Sequence, residues 1–181
     1  MLNLRAMKLI AAVLLLGLVS GNVIEAAAVD PTLVRAADLK IGAGEKRLER
    51  EETVSADSKS TKEKWCYEIT LELLGFKPAE GIEVQYRMFV QDETPGLVAN
   101  KKVRKEGKHE IAVLKPREKV SFQTVTTNIE TYKLSGYTYY TNGARAASAD
   151  KLHGIWVRVI QKGQTVAEFC RPISLKTKEK W

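Results

Sequence analysis

This chain of 181 residues is poor in the groups that most chemistry needs. It has two histidines, His109 and His153, and two cysteines, Cys66 and Cys170. The cysteines stand 104 positions apart, and each histidine falls at the entrance of an expected strand. Neither pair therefore has the close spacing of a metal motif. No G-x-S-x-G, H-E-x-x-H, Walker loop or dinucleotide fingerprint occurs. Glu68 and Glu72 share one face of an expected strand and come nearest to an acid pair, but such carboxylates are ordinarily the wet face of a strand. No enzymatic activity, metal or cofactor is expected. Internal repeats and low-complexity tracts are absent too. No amphipathic run is long enough to form the helical crossover of a parallel sheet.

What the chain does have begins with an export signal. Arg5 and Lys8 precede the apolar run Leu9–Val19, and Ala26-Ala27-Ala28 offers a small-residue cleavage site. A retained anchor needs about 20 apolar residues, and Asn22 and Glu25 cut this run short. No cysteine follows the run to accept a lipid. The expectation is a signal peptide over residues 1–28. The protein is then exported to the periplasm, the outer membrane or the medium, with no integral membrane segment after cleavage. Residues 29–181 are the size of one domain. The formal net charge is +7, and the leader removes one unit of it with Arg5, Lys8 and Glu25. In an exported protein such a balance suits an anionic glycan, a lipid headgroup or an acidic protein surface, and not nucleic acid. Solubility alone is the plainer explanation.

Past the leader, two-residue alternation dominates. Trp65, Tyr67, Ile69, Leu71 and Leu73 share one face of a strand, with Cys66, Glu68, Thr70 and Glu72 opposite. Ile82, Val84, Tyr86, Met88 and Val90 repeat the pattern after the turn Gly75–Gly81. His109–Leu114 ends at Pro116, which cannot sit in a central ladder. A strand from Lys119 follows, with a threonine-rich continuation to Ile129. Ile155–Ile160 and Thr165–Cys170, joined across Gly163, read as a hairpin. The N-terminal segment 29–62 is less regular. Asp30-Pro31 suits a short helix over Leu33, Val34 and Ala37, whereas Leu39 and Ile41 suit an edge strand to about Arg50, the reading adopted here. Ser55–Lys62 is polar and small, as in a loop. About seven strands without a long helix indicate an all-β fold: an immunoglobulin-like antiparallel β-sandwich with its body over 63–181.

Cys66 and Cys170 are the disulfide candidates, since an exported chain meets an oxidising compartment. A loop of this length makes a bridge worth about 4–5 kcal/mol in the chain-entropy model, provided the Cα atoms come within about 7 Å. Both cysteines alternate with polar residues, so a bridge would join neighbouring strands of one sheet on its outward side. The alternative is two thiols. Trp65 and Tyr67, on the other face, are expected in the core.

Two surface features are binding candidates. Lys101, Lys102, Arg104 and Lys105 belong to a basic run, Lys101–Lys108, in an expected loop; they suit an anionic contact, or simply a solvated loop. Tyr132, Tyr137, Tyr139 and Tyr140 crowd a segment, 131–150, rich in glycine and small polar residues. Tyrosine gives contact area at low entropy cost, so this loop is a candidate for glycan or other ligand recognition. Its rings could equally pack on the sandwich edge.

The stretches KWCYEITLELLG, IEVQYRMFV, LKPREKVSFQT and LHGIWVRVIQKGQTVAEFCRP, in this order, resemble bacterial secreted proteins with an immunoglobulin-like sandwich. More narrowly, the chain resembles the small immunoglobulin-like protein of an outer-membrane, type IV pilus-like gene cluster. The resemblance spans roughly residues 38–175 and rests on strand patterns. It implies a non-catalytic role among envelope or pilus-like proteins, in adhesion or contact with a host surface, and assigns no functional residue. The long apolar helix of a prepilin is missing, so a pilin subunit role is not implied.

Overall fold

The computed structural model describes residues 32–92, 101–134 and 147–181. The expected leader and Tyr137, Tyr139 and Tyr140 lie outside the described residues. A 3-10 turn, Ala36–Asp38, leads into β1 (Leu39–Val54) and β2 (Ser58–Leu73). There follow β3 (Ala79–Asp92), β4 (Lys101–Leu114), β5 (Lys119–Gln123), β6 (Thr127–Leu134) and β7 (Ala147–Ala149). β8 (Lys151–Gln161), β9 (Gln164–Arg171) and a single-turn helix, α1 (Leu175–Lys178), complete the order.

Every ladder is antiparallel. One sheet runs β1-β2-β6-β7, with β5 also on β2; the other runs β4-β3-β8-β9. The chain passes between sheets at β2–β3, β4–β5 and β7–β8. The inner faces supply the core: Tyr67, Ile69, Leu71 and Leu73 from β2, Ile82, Val84, Tyr86, Met88 and Val90 from β3, and Ile155, Val157 and Val159 from β8. Those of β2 and β3 are the residues that the alternation predicts, and each fully buried aliphatic side chain stabilises the fold by ~1.5–3 kcal/mol. Tyr67 is enclosed, while Trp65 packs half-buried at the margin.

Three segments depart from expectation, each for a visible reason. The polar stretch 55–62 is mostly strand, because charge pairs across neighbouring strands replace apolar alternation there. Arg47–Glu63 at 3.0 Å and Lys59–Glu52 at 2.7 Å span β1 and β2, and Lys62–Glu130 at 3.6 Å spans β2 and β6. Leu48 is an extra residue where the β1 register shifts.

The expected strand from Lys119 to Ile129 is broken in two. β5 pairs with one half of β2 and β6 with the other. At the break, the Tyr67 amide donates to Thr124 Oγ1 and the Thr124 amide to the Tyr67 carbonyl, both at 2.9 Å. The Val125 amide donates to the Tyr86 hydroxyl at 3.0 Å. Side chains thus replace the missing ladder partners. The third departure is the basic run, which is strand β4 and not a loop.

The fold has a second apolar cluster, outside the sandwich core. Phe89 and Trp156 lie on the outer face of the four-stranded sheet, out of phase with their core-facing neighbours. Cys170 of β9 joins them, and the segment after β9 turns back over them, adding Leu175 and Trp181. Gly154 permits that approach, since a Cβ there would collide with the Arg171 carbonyl and the Leu175 side chain. Trp181 stands edge-on to Trp156 at 5.3 Å, with the guanidinium groups of Arg87 and Arg158 4.6 and 4.3 Å from its ring centre. These cation–π contacts clip the strap to the sheet.

Candidate functional site

The strand period divides the basic run between two faces. Lys102, Arg104, Glu106 and Lys108 are exposed, whereas Val103 packs against the core. Lys102 pairs with Glu179 of the strap at 3.1 Å, Arg104 with Glu106 at 2.7 Å, and Lys108 with Glu110 at 2.9 Å. Half-buried Lys105 donates to the Thr126 carbonyl at 2.9 Å, tying β4 to the break between β5 and β6. Lys101 contributes its backbone, opposite Asp92. The run is a strand with three of its cations in ion pairs, where the sequence predicted a free basic loop.

Tyr132 is half-buried on β6, opposite Ser60 and Ser148. The other three tyrosines are not described. A small groove of about 240 Å³ is lined by Glu45, Glu63, Trp65, Ile129, Thr131 and Asp150 among others. Its polar groups are engaged. Glu63 accepts from Trp65 Nε1 at 2.9 Å and from Arg47 at 3.0 Å, and Asp150 accepts from the Glu130 amide at 3.1 Å.

The cysteines are free and far from pairing. Cys66 is on β2 and Cys170 on β9, so they belong to different sheets. Each points to the outer side of its own sheet, as the alternation predicts, but the two sheets are not neighbouring strands. A core about 10 Å thick separates the backbones, beyond the reach of a disulfide. Cys66 is wholly buried beside Lys46 and Gln123, and Cys170 lies against Trp156 and the strap. Burial pushes both thiols up from their ordinary range.

Glu68 and Glu72 do not form an acid pair. They make cross-strand ion pairs with Lys46 at 2.9 Å and Lys40 at 3.8 Å. His109 stacks on Phe122 with ring centres 4.1 Å apart. His153 is held below its ordinary range by burial first, and then by Lys102 and Lys178. Among the described residues no group of three His, Cys, Asp or Glu is placed to hold a metal, and no helix is long and apolar enough to cross a membrane.

Two features escaped sequence reasoning. One is the strap-covered cluster, legible in hindsight from Phe89 and Trp156 standing on the face where their strands are otherwise polar. The other is the end of the sandwich near the first described residue. There a groove of about 690 Å³ runs between Thr32–Arg35 and Leu73–Ala79, with Phe76 beside it.

No protein-family model and no curated protein matches the chain. A solved structure described as the X-ray structure of Northeast Structural Genomics Consortium target SoR45 is similar over 75% of this chain and 81% of its own, at 11% identity and a TM-score of 0.34. A likeness at that level assigns no activity to this chain.

Proposed function

We propose that this chain is an exported immunoglobulin-like protein that acts by protein–protein contact in a bacterial cell envelope, in a type IV pilus-like assembly or in adhesion, without catalysis. The strand order β1-β2-β6 packed against β4-β3-β8-β9, with successive crossings between sheets, supports the immunoglobulin-like reading. The observation that carries the functional reading is an open strand. β1 is sixteen residues long and, among the described residues, is hydrogen-bonded along one side only, to β2. Such an edge offers a row of amides and carbonyls to an added strand. Leu48 and Val54 stand exposed on it. Lys46, Arg47, Glu49 and Arg50 on the same strand oppose indiscriminate pairing, so a partner has to match their charges.

A photo-crosslinking residue placed at Leu48 tests this, beside one at Lys133 on β6. The expected result is capture of a single identifiable envelope protein from Leu48 and not from Lys133. Equal capture from both, or none from Leu48, sinks the strand-edge reading.

A second reading, a glycan-binding module, is favoured by the groove beside Trp65 at the root of the tyrosine-rich segment. Binding on a glycan array that is lost with Trp65→Ala, with no captured protein, would select it.

A further inference from the structure

The geometry points to a docking face for an anionic lipid bilayer, at the end of the sandwich where the described chain begins. Three connections meet there. The Leu74 amide donates to the Asp38 carbonyl at 2.7 Å, and the Arg117 amide to the Leu73 carbonyl at 2.7 Å. Ala79 pairs with Leu114, which places Lys115 beside Pro78, and Glu72 pairs with Lys119. The turn after β2 and the turn after β4 therefore sit side by side.

The first of these turns presents apolar surface to water. Phe76 is 84% exposed at its tip and Leu74 is 48% exposed beside it. Lys77, Lys115, Arg117 and Lys119 surround them, all exposed. None of the four makes an ion pair among the described residues. Of the local carboxylates, Asp38 pairs with Arg35 at 2.8 Å and Glu72 with Lys40, while Glu118 stays charged within the turn, accepting from the Lys115 amide at 2.7 Å. Glu80 makes no ion pair among the described residues either, so the four cations exceed these two carboxylates by two. In the β4 basic run, by contrast, Lys102, Arg104 and Lys108 each have an acidic partner.

An exposed aromatic at a turn, beside an excess of cations, matches the layering of a membrane surface. The ring enters the headgroup–acyl boundary while lysine and arginine reach the phosphates. A protein partner would be met more naturally by a broad flat patch than by one protruding ring. In the second turn the Lys115, Arg117 and Glu118 amides are all bonded within the protein. Residues 1–31 join the domain at this end too, and with them the apolar run Leu9–Val19. The face uses no residue of the open β1 edge, so either proposal can fail alone.

The test uses residues 29–181, because every member of the two apolar clusters lies between Val34 and Trp181. Co-sedimentation is measured with vesicles of phosphatidylcholine alone and with phosphatidylglycerol added. Binding is expected only with the anionic lipid, and it should weaken with salt. Phe76→Ser should weaken it about tenfold and Lys77→Glu or Arg117→Glu about fivefold each or more. Lys133→Glu, away from this end, should leave it unchanged. All these side chains are exposed, and circular dichroism confirms the fold of each variant. Failure to bind anionic vesicles overturns the proposal. So does binding indifferent to Phe76→Ser and Lys77→Glu, or equal loss with Lys133→Glu, which would mean attraction by net charge alone. A protein ligand lost with Phe76→Ser while vesicles are ignored would reassign the face and overturn it too.

Discussion

Gly107 stands opposite Tyr86 in the β3–β4 ladder, and the tyrosine side chain lies across the space where a Cβ would be. The hydroxyl thereby reaches the Val125 amide at the break between β5 and β6. One missing methyl group lets an edge strand of one sheet be crossed by a side chain that latches the other. Gly107→Ala should move the ring and leave that amide without its acceptor, costing about 1–3 kcal/mol. Tyr86→Phe, which removes only the hydroxyl, should cost about 1 kcal/mol. Urea denaturation midpoints compare them, and a Gly107→Ala protein as stable as the parent would show that the ring can move freely. Tyr86 was legible as a core residue from its period, but its partner Val125 and the need for glycine at 107 were not. Both depend on atoms brought from separate stretches of chain.

Among the elements, the strap after β9 is the most informative. Its core contact is Leu175, and its clip is Trp181 between Arg87 and Arg158, with Arg87 also donating to the Lys180 carbonyl at 2.9 Å. Lys176 and Arg158 both pair with Glu168 beneath it. Trp156, only 5% exposed, depends on this cover. Trp181→Ala should lower stability by about 2 kcal/mol and shift the remaining tryptophan emission to the red as water reaches Trp156. An unchanged midpoint together with unchanged emission would mean that the strap adds nothing to the fold. The strap's short, lysine-rich sequence has no periodicity to announce it. Only Phe89 and Trp156, apolar on a wet face, hint that something lies above them. β2 and β3 were legible throughout their inner halves because burial on one face forces a period of two. The outer half of β2 was not, because there charge pairs do the work of apolar contacts.

At the scale of the molecule, stability should fall with acid, and two kinds of group set the window. His153 has its folded-state value lowered from 6.5, chiefly by burial and then by nearby lysines. The folded protein thus resists protonating it, and its contribution, full above that value, shrinks as pH falls below it. Glu168 is lowered from 4.5: burial opposes the shift, but Lys176 and Arg158 outweigh it. Glu52 and Glu83 are lowered by hydrogen bonds, the first to Lys59 and then Arg50, the second to Gln85 and then Lys108. Their contributions are present above the unfolded value and are lost as pH falls through the folded one. The midpoint of thermal unfolding should therefore decline gently below neutrality and steeply in the carboxylate range. His153→Gln should remove the gentle part. A midpoint flat from neutral pH to below 4.5 would contradict the assignment.

Alternation along β2 and β3 was enough to specify an all-β chain and much of its core, because a strand buried on one side must repeat every second residue. Pairing across sheets was decided only by the tertiary structure. It put the cysteines on opposite outer faces, turned the basic run into an edge strand, and gathered Phe76, Lys77 and Arg117 at one end. None of these contacts is local, and only local contacts leave a period in the sequence.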